Sequence, residues 1–317
     1  MLPFIAIVAG AQTRTVAITV DDLPCANCAP FDVNGSSRQG LMEATNQRLI
    51  AGLERGHAPV TGFVITQSVE QAGFVGQHSL QLWLDAGFDL GNHSYSHPNF
   101  ADVTTEQMES DVARADTTLR PLLVANGHKL QFFRFPYNDT GDTQAKHDDF
   151  AAFLKAHGYQ LATCTIDTSD YIFAAAYARA VGSNESIMAA QIRREYLAYS
   201  ATEIDYYAAL NRLVLGYEPA EVMLIHDSLL NADSIDDLLA LFRDRGYKFV
   251  RLGEAQHDPA YAIPDTLVTK YGMMWGYRWA KERNLGRLGM NETEPPEWIS
   301  SYAAGKAVPK QTRSDSK

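Results

Sequence analysis

The sequence predicts an α/β protein assembled from parallel β-α units. Short β-branched or aromatic runs alternate with longer amphipathic stretches, and those stretches close on a glycine where a left-handed helix cap belongs. Strands are expected over Thr15 to Val20, Val60 to Ile65, Phe88 to Leu90, Gln131 to Phe133, Gln160 to Thr165, Glu221 to Ile225 and Tyr247 to Val250. Between them the spacing predicts helices over Arg38 to Arg55, Ser68 to Ala86, Thr105 to Asn126, Asp142 to His157 and Ser234 to Arg245, followed by Gly56, Gly87, Gly127, Gly158 and Gly246. An open doubly wound sheet and a closed or deformed barrel both satisfy this alternation. In either, the active site lies at the carboxyl ends of the strands.

Two stretches break the rhythm. From Ile172 to Pro219, about 50 residues stand where a β-α connection normally takes a few, and they read as a helical insertion (172–219) that caps or borders the site. After Gly253 the alternation ends. The extension 254–317 is expected to pack on the barrel as a helix, with its Trp and Tyr in the core, and to end in a mobile tail from Lys306. At the other end, Leu2 to Ala11 is apolar but short of the roughly 20 residues a membrane span needs. It finishes in Ala9-Gly10-Ala11, a small-x-small pattern of the kind cut by signal peptidase. Residues 1–11 therefore read as a signal-peptide remnant, residues 12–253 as the catalytic barrel, and the chain as secreted or periplasmic.

The 317 residues, 46% of them hydrophobic, suffice to bury one large core. With 27 basic against 38 acidic side chains the formal charge is −11, and no Lys or Arg stripe tracks phosphates, which argues against nucleic acid as a partner. Besides Cys164 there is a C-x-x-C, Cys25 and Cys28, open between a redox pair, half a zinc site and a short disulfide. No second C-x-x-C completes a structural zinc site, and the surrounding Pro, Asn and Ala favour a loop over the helix start that a redox motif needs.

Five polar clusters carry the chemistry. Thr19-Val20-Asp21-Asp22-Leu23-Pro24 sets two carboxylates at the end of a hydrophobic strand, in a context that alone reads as a turn or cap. Gly91-Asn92-His93-Ser94-Tyr95-Ser96-His97-Pro98 follows another strand. Two imidazoles four residues apart share one face of a helical turn and can grip one ion, and a carboxylate added to them suits Zn²⁺ or Co²⁺ while leaving room for water and substrate. Phe133-Arg134-Phe135-Pro136-Tyr137 offers a guanidinium fork for a carboxylate. Asp167-Thr168-Ser169-Asp170-Tyr171 supplies carboxylates for Arg134 or a histidine, and Leu224-Ile225-His226-Asp227 ends a very hydrophobic strand in His.

The order DD, H-x-x-x-H-P, R-x-P-Y, D-x-x-D-Y, L-I-H-D resembles the NodB-type polysaccharide deacetylases, the family 4 carbohydrate esterases, over Thr15 to Arg251. The resemblance implies a deformed (β/α) barrel and a metal-dependent hydrolase that removes N- or O-acetyl groups from a polysaccharide or oligosaccharide. It implies one divalent ion, Zn²⁺ first and Co²⁺ or similar second, on Asp22, His93 and His97, with Asp21 as general base and His226 as general acid. Arg134 would hold Asp21, and Asp170 would keep His226 charged. The backbone N–H of Tyr137, beside Pro136, would meet the oxyanion, and Tyr171 and Leu224 would line the acetyl pocket. The implied partner is an acetylated glycan, with no nucleic acid and no membrane span.

The chain departs from the family pattern at three places. Val20 and Leu23 stand where T-F-D-D-G has Phe and Gly, and Tyr171 stands where Trp is usual, so the floor of the site and its sugar contacts are expected to differ. Two other readings follow: a small-molecule amidohydrolase acting on a C–N bond with the same site, and a non-catalytic glycan-binding relative. Asp21 and His226, neither needed to hold a metal, speak against the second.

Overall fold

The computed structural model describes residues 13–26, 38–283 and 292–306. Strand and helix alternate as β1 (Thr15–Leu23), α1 (Arg38–Arg55), β2 (Val60–Val64), α2 (Thr66–Ala72), α3 (Phe74–Asp85), β3 (Asp89–Asn92), α4 (Thr105–Ala125), β4 (Phe132–Phe133), α5 (Gln144–Ala156), β5 (Gln160–Leu161) and β6 (Ile166–Asp167). There follow α6 (Asp170–Gly182), α7 (Ser186–Leu215), β7 (Glu221–His226), α8 (Leu229–Asp244), β8 (Lys248–Phe249), α9 (Leu252–Ala255), α10 (Trp275–Glu282) and α11 (Glu297–Ala303). The possible signal-peptide remnant 1–11, Cys28 and the tail beyond Lys306 lie outside the described residues.

The strands pair in parallel in the order β5-β4-β3-β2-β1-β7-β6, with β8 beside the first residues of β1. The two edges, β5 and β6, are consecutive in the chain. Seven strands laid flat would hold those edges about 29 Å apart at ~4.8 Å per step. The residues joining them span at most about 17 Å, so the sheet must curl. Among the described residues no ladder joins β5 to β6. The connection instead passes from β4, where Ala162 N–H donates to Phe133 O at 2.7 Å, to β7, where Thr165 N–H donates to Val222 O at 2.9 Å. The result is a deformed (β/α) barrel.

β1 is central, so Val16 to Val20 are all fully buried, as an unbroken apolar run in a parallel sheet requires. Its alternation divides the core. Ile18 and Val20 join the large cluster under the helices, whereas Ala17 joins Phe63, Phe132, Ala162 and Val222 in a second, smaller cluster. Thr19 and Asp21 continue the Ala17 face toward the strand's carboxyl end. Outside, α1 crosses α8 at close range: a Cβ on Gly52 would stand 2.2 Å from Ile235 Cγ2, and one on Gly56 2.3 Å from Leu239 Cδ1. Close approach is thus what Gly56 provides. The left-handed position falls on His57, at φ 47°, and not on Gly56 as the sequence suggested.

Other expectations are corrected. The helix expected over Ser68 to Ala86 breaks at Gly73, φ 60°, into α2 and α3. The strand expected over Gln160 to Thr165 shortens to β5, Gln160–Leu161, and a crossing segment that leads to β6. α8 starts at Leu229, before Ser234, because Ser228 caps it by accepting from Asn231 N–H at 3.2 Å. The segment 172–219 follows directly on Asp170 and Tyr171. It forms most of α6 and α7, the crossover from β6 to β7, and packs along the barrel's flank with α8, α10 and α11.

Glu221, at the start of β7, is fully buried, with Oε2 accepting from Asn211 Nδ2 at 2.8 Å and Oε1 unpartnered. Burial pushes its pKa up to about 8, above its ordinary 4.5. The unfolded chain ionises there first, so the stability tied to this carboxyl is present below pH 4.5 and lost as pH rises toward 8. Glu221→Gln keeps the shape and removes the titration. Thermal melts from pH 5 to 9 should show the variant gaining on the wild type by a few degrees as pH rises to 8, then running parallel. A constant difference across that range would show that Glu221 does not titrate there.

Candidate active site

The site begins with a bulge in β1. The register with β2 slips between Val20 and Leu23, and Asp22 takes φ 65°, so adjacent carboxylates diverge. Asp21 stays in the ladder opposite His226, and its Oδ1 accepts from Arg134 Nη1 at 2.8 Å. Asp22 swings away, placing its Oδ1 3.4 Å from His93 Nε2 and 3.3 Å from His97 Nε2.

His93 follows directly on β3. Its Nδ1 lies 2.9 Å from the Arg134 carbonyl, which can only accept, so Nδ1 carries the proton and Nε2 faces Asp22 with a free lone pair. The path to His97 is not the helical turn expected from the spacing. Ser94 and His97 both sit at positive φ, 70° and 58°, in a loop held from outside the motif. Asn92 Oδ1 accepts from Ser94 N–H at 2.7 Å, and Asp111 of α4 accepts from Tyr95 N–H at 2.8 Å and Ser96 N–H at 2.9 Å.

The donor atoms of Asp22, His93 and His97 lie within 4.8 Å of one another. Asp22 Oδ1 is buried and receives no hydrogen bond. One anionic oxygen and two neutral imidazole nitrogens facing a common point fit a divalent ion with coordination positions left open.

The opposite side of the site is built on His226. Its Nδ1–H donates to Asp170 Oδ1 at 2.7 Å, and its backbone N–H donates to Asp170 Oδ2 at 2.7 Å. Asp170 opens α6 and is fully buried. Asn231 of α8 donates to it and to His226 O at 2.8 Å, while Tyr196 of α7 donates to Asn231 Oδ1 at 2.8 Å. Burial pulls the His226 pKa down, but the Asp170 carboxylate outweighs it and the imidazole is pushed up to about 10.

Asp21, Asp22, His93, His97, Tyr137, Tyr171, Leu224 and His226 line one cavity of about 500 Å³. Arg134 and Asp170 stand behind Asp21 and His226, and Pro136 is buried without lining it. Tyr137, at φ 57°, and Tyr171 stand out at 59% and 53% exposure. The sequence reading missed Asp111, Asn231 and Tyr196, whose roles depend on tertiary partners. It also missed Gly272 and Met274 of the C-terminal extension, which line the cavity; Asp167, offered as a partner for Arg134 or a histidine, instead lines the cavity itself, with its pKa pushed by burial up to about 6.

The family model described as polysaccharide deacetylase matches residues 9–162, the stretch that carries Asp21, Asp22, His93, His97 and Arg134. A peptidoglycan-N-acetylglucosamine deacetylase of Bacillus cereus is 22% identical over 156 residues, 49% of this chain and 46% of that one, so the match spans about half the length of the curated relative. A CE4 family pseudoenzyme from Bacillus anthracis superposes with a TM-score of 0.50 at 16% identity, covering 77% of this chain and 66% of that one. A T48 deacetylase solved with substrate gives a TM-score of 0.50 at 20% identity, covering 78% and 92%. At such identities the structures speak for the fold, which brings His226, beyond the matched stretch, to the same cavity with Asp170 behind it. Residues 9–162 match the polysaccharide deacetylase family, and the chain is similar to the NodB-type family 4 carbohydrate esterases.

Proposed function

We propose that this chain is a metal-dependent hydrolase that removes N- or O-linked acetyl groups from a polysaccharide or oligosaccharide outside the cytoplasm. The observation that carries the reading is one cavity that holds Asp21 and His226, each hydrogen-bonded to a buried group of opposite charge, together with the orphaned Asp22 Oδ1 and two imidazoles. Asp22, His93 and His97 would hold the ion, Zn²⁺ by preference. When bound, it supplies a Lewis acid and lowers the pKa of water.

The protein's own groups divide the remaining work. Asp21 has Oδ1 engaged by Arg134, which leaves Oδ2 to take the proton of the attacking water. His226 has Nδ1 engaged by Asp170, which leaves Nε2 to protonate the departing nitrogen or oxygen. With its pKa near 10 it enters the reaction already charged. Tyr137 N–H would meet the developing oxyanion, and Leu224 and Tyr171 would bound the acetyl methyl. A binding-only role would leave the buried Asp170–Asn231–Tyr196 support of His226 without a purpose.

Asp22→Ala and His97→Ala should each lose bound metal and hydrolysis together. Asp21→Asn should keep the metal and lose about 10²–10⁴-fold in turnover, read by elemental analysis beside acetate release. Full activity in Asp21→Asn would remove it as the base.

Chelation followed by Zn²⁺ or Co²⁺ should abolish and then restore acetate release from a panel of acetylated chitin, peptidoglycan and xylan fragments. No acetate from any of them would overturn the deacetylase reading in favour of a small-molecule amide substrate.

Asp170→Asn removes the charge that raises His226. The alkaline limb of the kcat/KM profile, set in the wild type by deprotonation of the acid, should move to lower pH. An unmoved limb would mean that His226 is not the acid.

A further inference from the structure

The C-terminal extension reaches the site through a buried staple. Arg278 of α10 is buried. Its Nη1 donates to Asp265 Oδ2 at 2.7 Å, to Thr140 Oγ1 at 3.0 Å and to Leu267 O at 3.2 Å, and its Nε donates to Met273 O at 3.1 Å. It thereby ties the segment before α10 to the loop after β4 that carries Tyr137. The contact is so close that a Cβ on Gly272 would stand 1.7 Å from Tyr137 O, and Gly272 itself lines the cavity. A tight turn, Met273 N–H to Tyr271 O at 2.9 Å, then leaves Tyr271 at the rim with 64% exposure.

The aromatic residues that follow in this extension, Trp275, Tyr277 and Trp279, are buried, as expected from the sequence. Tyr271 is the exception. Lys270 Nζ stands 5.3 Å from its ring centroid, a cation–π contact that favours a fixed ring position. A large aromatic ring held in water by a buried staple, one residue from the cavity wall and beside exposed Tyr137, has the form of a binding surface continuous with the site.

We propose that Tyr271 is a sugar platform of this cavity: the pyranose next to the one being deacetylated stacks its C–H face on the Tyr271 ring. This rests on the glycan reading above. A pyranose presents an apolar face edged by hydroxyls, which suits an aromatic plane with a phenol and an ammonium beside it. A small ring-amide would fit inside the cavity and have no use for Tyr271.

The test compares wild type, Tyr271→Ala and Tyr271→Phe by acetate release from a pentasaccharide and a monosaccharide of whichever acetylated glycan the wild type accepts. In Tyr271→Ala the ratio of kcat/KM for pentasaccharide over monosaccharide should fall about 3–10-fold, through KM, and Tyr271→Phe should restore it. An unchanged ratio in an active enzyme overturns the platform and leaves the deacetylase reading intact. An equal loss on both substrates also overturns it, since Tyr271 would then serve only to position the Tyr137 loop. No acetate from any glycan with the wild type sinks the underlying reading, and the proposal with it.

Discussion

Arg134 is a fully buried cation, and its surroundings explain why the site has one arrangement. Nη1 donates to Asp21 and to Thr19 Oγ1 at 2.7 Å, both on β1, and the guanidinium lies 4.3 Å over the Phe63 ring of β2. Nε and Nη2 reach Ala162 O and Thr163 O at 3.4 Å, on the segment that crosses the gap in the barrel. Its own carbonyl fixes the His93 tautomer. A buried charge stripped of its partner costs about 3–5 kcal/mol, so Asp21, Thr19 and the crossing segment are locked to it. The Asp21 carboxylate and the His93 imidazole are oriented by one residue, and neither can drift without the other.

The same logic recurs across the cavity. Asp170 is as buried as Arg134 and is satisfied by His226, its backbone and Asn231. Two buried charges of opposite sign, each behind the group it hydrogen-bonds, leave Asp21 Oδ2 and His226 Nε2 as the atoms these partners do not engage. They project from β1 and β7 at directly paired positions, so the ladder between those strands sets their separation.

Much of this was legible in the sequence because it is local. Strand ends followed by polar clusters mark the cavity face without reference to anything distant, and Asp21, Asp22, His93, His97, Tyr137, Tyr171, Leu224 and His226 do line one cavity. What was not legible depends on partners far away in the chain. Spacing suggested a helical turn for His93 and His97, but Asp111 draws the loop into another shape by taking the backbone N–H groups of Tyr95 and Ser96. The run Gln160 to Thr165 reads as one short strand from composition alone. Nothing in that pattern reveals that it changes pairing partner from β4 to β7 midway. Tyr271 escapes for the converse reason: its sequence neighbourhood looks like core, and only exposure separates it from Trp275 and Trp279.

The departures from the family pattern now fall into two groups. Val20 is fully buried on the helix-facing side of β1. Leu23 is also fully buried, and its side chain packs where Gly62 makes room: a Cβ on Gly62 would stand 2.7 Å from Leu23 Cδ2. Neither side chain reaches the cavity, so the expectation that Leu23 alters its floor is not met, and these two changes belong to the packing of β1 against β2. Tyr171 does reach it, with its ring 6.1 Å from that of His226 and its hydroxyl added to a wall that also holds Asp167. Of the three departures, Tyr171 is therefore the one that touches the cavity. Gly272 and Met274 line the same cavity, Gly272 packed against Tyr137 O, so the extension after residue 253 adds to the wall that the barrel builds.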